Sequence, residues 1–171
     1  MKKFLLIVLS LSVLGLASIA NSQTIRIGTE GAYPPWNNLN SAGDLEGAEI
    51  DFGNEACKRM GVTCEWVTQD WDGIIPALLQ GKYDIIIAGM SITEERKEKV
   101  NFTTGYMTDG ARFAVLKNSG LANLNIAGMA KVNLNNAGGK EQAAIGQLIA
   151  AMDGKTVCVQ SSTIHQNFLE K

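Results

Sequence analysis

The residues of this chain best suited to grip a small molecule are one arginine, one acid, two aromatics and a set of small residues. Arg96 stands in "GMSITEERKEKV" directly after the apolar run "KYDIIIA". That junction reads as a strand passing into a helix. Thr93 has the chemistry of its N-cap, and Glu94 and Glu95 suit a first turn, where acids complement the positive end of the helix dipole. A cation there works against the dipole. A guanidinium at such a place can hold a carboxylate through two parallel, charge-assisted hydrogen bonds. The competing reading is a surface pair with Glu94, Glu95 or Glu98, which would be worth little.

The other candidates share this kind of position. In an open parallel sheet, ligands sit beyond the carboxyl ends of the strands. Glu30 and Tyr33 follow the first expected strand, and Asp70 and Trp71 follow the second. Ala88, Gly89, Met90 and Ser91 follow the third, and Ser161, Ser162 and Thr163 follow a strand near residue 157. N–H groups at helix starts, at the turn after Gly89 and at "SSTIH" around Ile164, can add donors to a carboxylate held by Arg96. Tyr33 and Trp71 can sandwich an alkyl or guanidinium group. Glu30 can receive a positive end. Such a set describes an amino acid with a cationic side chain, or a derivative of one. Singly, each residue has a plainer role: Tyr33 and Trp71 as core or surface aromatics, Glu30 as a solvated acid, Ser91 and Thr93 as caps. His165 is the only histidine, and no Cys/His set has metal-ligand spacing, so neither metal nor cofactor is expected.

The elements that must position these groups alternate. "TIRIGT" reads as a strand, and "YPPWNNLNSAGDLEG" as a turn-rich loop with room for a short hairpin. Residues 49–60 form a helical pattern with Gly53, Ala56, Cys57 and Met60 on one face and Gly61 as its C-cap. "VTCEWV" is a strand. A helix capped by Asp70 or Asp72 runs to Gln80 with Pro76 as an apparent blemish, and "YDIIIA" reads as a central strand apolar on both faces. This order predicts an α/β fold with a mostly parallel sheet. "GARFAVLK" is a further strand, residues 118–140 an Asn/Gly-rich loop, residues 140–152 a helix stopped by Gly154, "KTVCVQ" a strand and "IHQNFLEK" the opening of a helix.

The 171 residues are 46% hydrophobic with a net charge of −2, which describes a soluble globular protein and argues against a nucleic-acid partner. Lys2 and Lys3 precede "FLLIVLSLSVLGLASIA", the charged, apolar and small-residue sequence of a secretory leader, cleaved after Ala20 or Ser22. No cysteine follows it that could carry a lipid. Export makes Cys57 and Cys64, on a helix and the strand it leads into, a disulfide pair, the alternative being two buried thiols. Cys158, left without a partner, reads as a small buried apolar residue.

"IRIGTEGAYPPWN", "EIDFGNEACKRMGVTCEWV", "QDWDGIIPALLQGKYDIIIAGMSITEER" and "GKTVCVQSSTIHQNFLEK" together resemble the periplasmic substrate-binding proteins of polar amino-acid ABC transporters, above all the lysine/arginine/ornithine, histidine and octopine/nopaline binders. The resemblance implies a type II periplasmic-binding-protein fold of two α/β lobes, with a leader over 1–22, lobe one over 23–112, and a crossover and partial second lobe over 113–171. It implies that Arg96 binds the ligand α-carboxylate with the N–H groups of Ser91, Thr163 and Ile164. The Gly89 carbonyl and Ser91 hydroxyl would face the α-amino group, Tyr33 and Trp71 would stack on the side chain, and Glu30 would read a cationic end. It further implies a periplasmic monomer delivering a basic amino acid or opine to ABC permease subunits. "TEGAYPPWN" and "AGMSIT" are closer to the opine binders.

This chain departs from the pattern at several places. Ala88 and Gly89 stand where serines are frequent, leaving backbone contacts only. Ser162 replaces a usual glycine, Ile164 a usual threonine and Ala48 a common aromatic, and Gly53 and Cys158 are also unusual. Mature family members run well past two hundred residues, so lobe two is expected to be incomplete and its amino-group aspartate absent. The alternatives are an exported dehydratase of the prephenate/arogenate type on the same fold and an exported sensory domain. The first needs a poised general acid, for which Glu30 is the only candidate. The second needs a transmembrane helix after the domain.

Overall fold

In the computed structural model, residues 23–124, 126 and 138–170 are described. The expected leader, residues 1–22, and most of the Asn/Gly-rich loop lie outside the described residues. The chain divides into two units, Met1–Met90 and Ser91–Lys171.

In the first unit, β1 (Thr24–Thr29) is the central strand of a three-stranded sheet. It pairs in parallel with β5 (Thr63–Thr68) along its whole length and with β6 (Ile85–Ile86) on its other side. The order β5-β1-β6 means that the chain leaves β1 in one direction and later returns past it in the other. The crevice at that reversal is where open parallel sheets bind ligands. Helix α1 (Ala48–Met60) supplies the first crossover, and a 3-10 turn (Trp71–Gly73) running into α2 (Ile74–Leu79) supplies the second.

The two crossovers gather two cores. Ile27, Cys57 and Ile87 pack with Ile25, Val62, Cys64 and Trp66. Ile74, Ala77, Tyr83 and Ala88 pack with Val67, Trp71, Leu78 and Met90. Pro76 is not a blemish: it is the third residue of α2, where a backbone N–H has no intrahelical acceptor to lose. Gly61 ends α1 in the left-handed conformation, as its position predicts. The disulfide is formed: Cys57 on the last turns of α1 is bonded to Cys64 on β5 with a Cα–Cα distance of 5.9 Å. Arg26 on β1 donates to Asp84 Oδ1 at 2.7 Å and to the carbonyls of Gly81 and Lys82, tying β1 to the turn before β6. The guanidinium holds the Asp84 carboxyl below its usual range, but both groups are exposed, so the pair adds little stability.

Four expectations change. The turn-rich loop is a three-stranded antiparallel meander of β2 (Ala32–Tyr33), β3 (Asn37–Leu39) and β4 (Leu45–Glu46), not a single hairpin. The buried residues of α1 are Glu49, Ile50, Gly53 and Cys57, while Ala56 is half-buried and Met60 exposed. The strand "YDIIIA" shrinks to two residues, and Ile85 faces outward at 41% exposure.

The fourth change concerns the second unit. It comprises α3 (Glu94–Lys97), α4 (Gly139–Met152) and α5 (Ile164–Leu169). Residues 110–117 and 155–160 form no strand, and Cys158 is exposed rather than buried. Strand propensity is largely fit to a pleated, half-buried neighbourhood, and neither segment is paired among the described residues.

Candidate functional site

Glu30 directly follows β1, and Tyr33 stands on β2 in the meander, 37% exposed. Trp71 opens the 3-10 turn after β5 and packs part of its surface on the α2-side core. Ala88 is buried in that core, so its side chain is committed there, and Met90 packs against it. Gly89 has φ +59, a left-handed conformation that glycine adopts without a Cβ penalty.

A residue the spacing argument passed over joins two of these positions. Glu49, on the first turn of α1, is only 2% exposed. Its Oε1 accepts the N–H of Gly89 at 2.7 Å, and its Oε2 accepts from Asn37 Nδ2 at 2.6 Å. Asn37 Oδ1 in turn accepts the N–H of Gly31, next to Glu30, at 2.8 Å. An acid in a first turn ordinarily reads as a partner for the helix dipole. Its spacing of four from Gly53 and eight from Cys57, which places it on the buried stripe, was the signal that could have found it.

In the second unit the expected residues converge on Arg96. Thr93 caps α3 by accepting the Arg96 N–H on Oγ1 at 3.2 Å. Helix α3 is a single turn, so Arg96 lies as near its C-terminal end as its start, and the conflict with the dipole dissolves. The guanidinium donates through Nη1 to the Ser91 carbonyl at 2.9 Å and through Nη2 to the Ser162 carbonyl at 3.1 Å. Both acceptors are neutral, so these bonds aim the cation without cancelling its charge. Partial burial lowers the Arg96 pKa and Glu95 opposes that, but an arginine remains charged at any physiological pH.

Thr163 is buried and caps α5. Its Oγ1 accepts the Gln166 N–H at 3.2 Å and donates to the Gln160 carbonyl at 2.8 Å. Ile164 is the first residue of α5 and is exposed. Ser162 has φ +57, the only non-glycine residue with positive φ among the described residues. Thus the arginine gathers the carbonyls of Ser91 and Ser162, with the nearby capping residues Thr93 and Thr163, around one charge.

Residues 25–163 match the profile of bacterial extracellular solute-binding proteins, family 3. The octopine-binding periplasmic protein of Rhizobium meliloti is 44% identical over 151 residues, covering 88% of this chain and 51% of that protein. The L-arginine-binding protein of Pseudomonas aeruginosa is 45% identical over 122 residues, 71% of this chain and 47% of that protein. A solved periplasmic His/Glu/Gln/Arg/opine family-binding protein from Silicibacter pomeroyi, in complex with lysine, is 60% identical over 48% of this chain and 38% of its own, with a TM-score of 0.48. The chain spans about half the length of the curated relatives it matches. By the extent of the profile match, the chain belongs to the bacterial extracellular solute-binding proteins, family 3.

Proposed function

We propose that this chain carries the amino-acid-binding residues of a periplasmic solute-binding protein that serves an ABC permease, and that its ligand is a cationic amino acid or an opine. Family membership and the ligands for which the relatives are named, octopine and L-arginine, support the class. The observation that carries the reading is Arg96, a guanidinium oriented by two neutral carbonyls. Such a cation is suited to a ligand carboxylate. On this reading the N–H groups of Ser91, Thr163 and Ile164 assist Arg96. The Gly89 carbonyl and Ser91 hydroxyl take the α-amino group, while Ala88 and Met90 offer backbone only. Tyr33 and Trp71 stack on the side chain, and Glu30 receives its positive end. Residues 1–22 serve as the export leader, the protein works as a monomer, and it is a carrier rather than an enzyme.

Heteronuclear NMR titration of the chain with L-arginine, L-glutamine and octopine tests this, because it also reads weak binding. Arg96→Ala should remove saturable shifts with all three ligands. Glu30→Gln should weaken arginine about 10–100-fold, the effect of one charge-assisted hydrogen bond, and leave glutamine unchanged. Retained binding in Arg96→Ala overturns the reading, and equal losses for arginine and glutamine in Glu30→Gln overturn the role of Glu30.

A further inference from the structure

The Glu49 relay crosses the place where the sheet changes direction. Gly31 follows the end of β1, Gly89 follows the end of β6, and these two strands are neighbours. Between them run three hydrogen bonds, from Gly31 N–H to Asn37, from Asn37 to Glu49, and from Gly89 N–H to Glu49, at 2.6–2.8 Å. Both side chains are buried, Asn37 at 0% and Glu49 at 2% exposure. Buried polar groups of this kind are held to one arrangement, because a lost partner leaves a donor or acceptor unsatisfied.

We propose that Glu49 is a positioning residue for ligand binding: its buried carboxylate, through Asn37, fixes the peptides at Gly31 and Gly89 and so sets Glu30 and the Gly89 carbonyl relative to each other. The inference rests on the reading that those two groups face the ligand. The direction of the Gly89 carbonyl depends on the peptide planes that flank it. The plane before Gly89 is pinned by the N–H bond to Glu49, and the left-handed φ at Gly89 restricts how the next plane can turn from it. Glu30 is tied in the same way through the following N–H, that of Gly31. The relay thus lets one buried acid hold both the amino-group acceptor and the side-chain acid of the first unit.

The donor pattern prescribes a test. In Glu49→Gln the new amide turns an N–H towards Asn37 Nδ2, donor against donor. In Asn37→Asp two carboxylates face each other. The double variant Asn37→Asp/Glu49→Gln again gives each of the three hydrogen bonds one donor and one acceptor. The Gly31 N–H meets one oxygen of the carboxylate now at position 37, and the amide now at position 49 donates to the other. The Gly89 N–H meets the oxygen of that amide. The net charge is that of the unaltered chain.

Two readouts are taken on the full chain: hydrogen exchange at the Gly31 and Gly89 amides, and the L-arginine dissociation constant by NMR titration. Each single variant should speed exchange at one or both amides and weaken arginine about tenfold, the effect of one buried unsatisfied group. The double variant should restore both to within about threefold. A double variant weaker than either single one overturns the proposal. So do single variants that lower the melting temperature while leaving the dissociation constant unchanged, since that is the result of a merely structural role. If the unaltered chain takes up no arginine, the functional reading fails and Glu49's role in binding fails with it. The amide arm then still decides whether the relay fixes Gly31 and Gly89.

Discussion

Ser162 sits in a left-handed conformation at the start of α5, where its carbonyl receives Arg96 and its N–H donates to the Gln166 side chain at 2.7 Å. An L-residue there costs about 1–2 kcal/mol relative to glycine. A φ of +57 is one that glycine, lacking a Cβ, adopts without that penalty. These two bonds use the Ser162 backbone, so they survive removal of the side chain. Ser162→Gly should therefore stabilise the start of α5, by up to about 1 kcal/mol after the added freedom of glycine in the unfolded chain is subtracted. Slower hydrogen exchange at Gln166 and Asn167, whose N–H groups bond to Thr163, would register this. Faster exchange would mean that the serine hydroxyl contributes more than the strain costs. Arg96 was legible as a candidate from its type and its place after an apolar run. Its orientation by the Ser91 and Ser162 carbonyls was not, because it depends on two segments separated by 66 residues.

At the scale of elements, α1 is where local rules and packing disagree. Gly53 lies in the middle of a 13-residue helix, where replacing it with alanine gains about 1 kcal/mol in an exposed setting. Here a Cβ would come within 2.6 Å of Trp66 Cζ2 and 2.8 Å of Cη2. The indole is itself held by a hydrogen bond from Nε1 to Asn54 at 2.9 Å, so it cannot swing aside without losing a partner. Gly53→Ala should therefore destabilise by about 1–3 kcal/mol despite its better helix propensity. In a Trp66→Leu background the sign should reverse, a contrast that urea midpoints for the unaltered chain and the three variants would display. The existence of α1, β5, α2 and α4, and the disulfide joining α1 to β5, could be read from apolar spacing, glycine stops and the context of export. The inner face of α1 could not be fully read. An acid at its first turn satisfies the dipole rule equally well inside or outside; its spacing from Gly53 and Cys57 points inward, but the partners that make burial tolerable, the Gly89 N–H and Asn37, come from segments the spacing does not specify. The segments at 110–117 and 155–160 carry strand-forming residues, yet strand formation also needs a neighbour, which composition does not specify.

Across the whole molecule, apolar burial is uneven. Both hydrophobic core clusters of the described residues lie in the first unit. In the second, Ala144 is the one buried hydrophobic residue described, while Phe113, Val115, Leu116, Ile149, Val157 and Val159 are all exposed. Backbone stability follows buried contacts, so opening free energies should range from near zero in irregular exposed segments to the full unfolding value in core strands. Trypsin provides a direct comparison, because exposed lysines and arginines occur in both settings. Lys58 and Arg59 lie on α1 and Lys82 at the turn before β6, whereas Arg112 and Lys117 lie in or at the end of the strandless 110–117 segment. Cleavage after Arg112 or Lys117 should come first, by at least about tenfold in rate if local opening there is about 1.4 kcal/mol easier. The N-terminal product should keep slow exchange at Ile27 and Gly28 on the central strand. Equal early cleavage at Lys58 or Lys82 would show instead that the β5-β1-β6 sheet opens as readily as the second unit, and that its two cores do not confer the stability their burial implies.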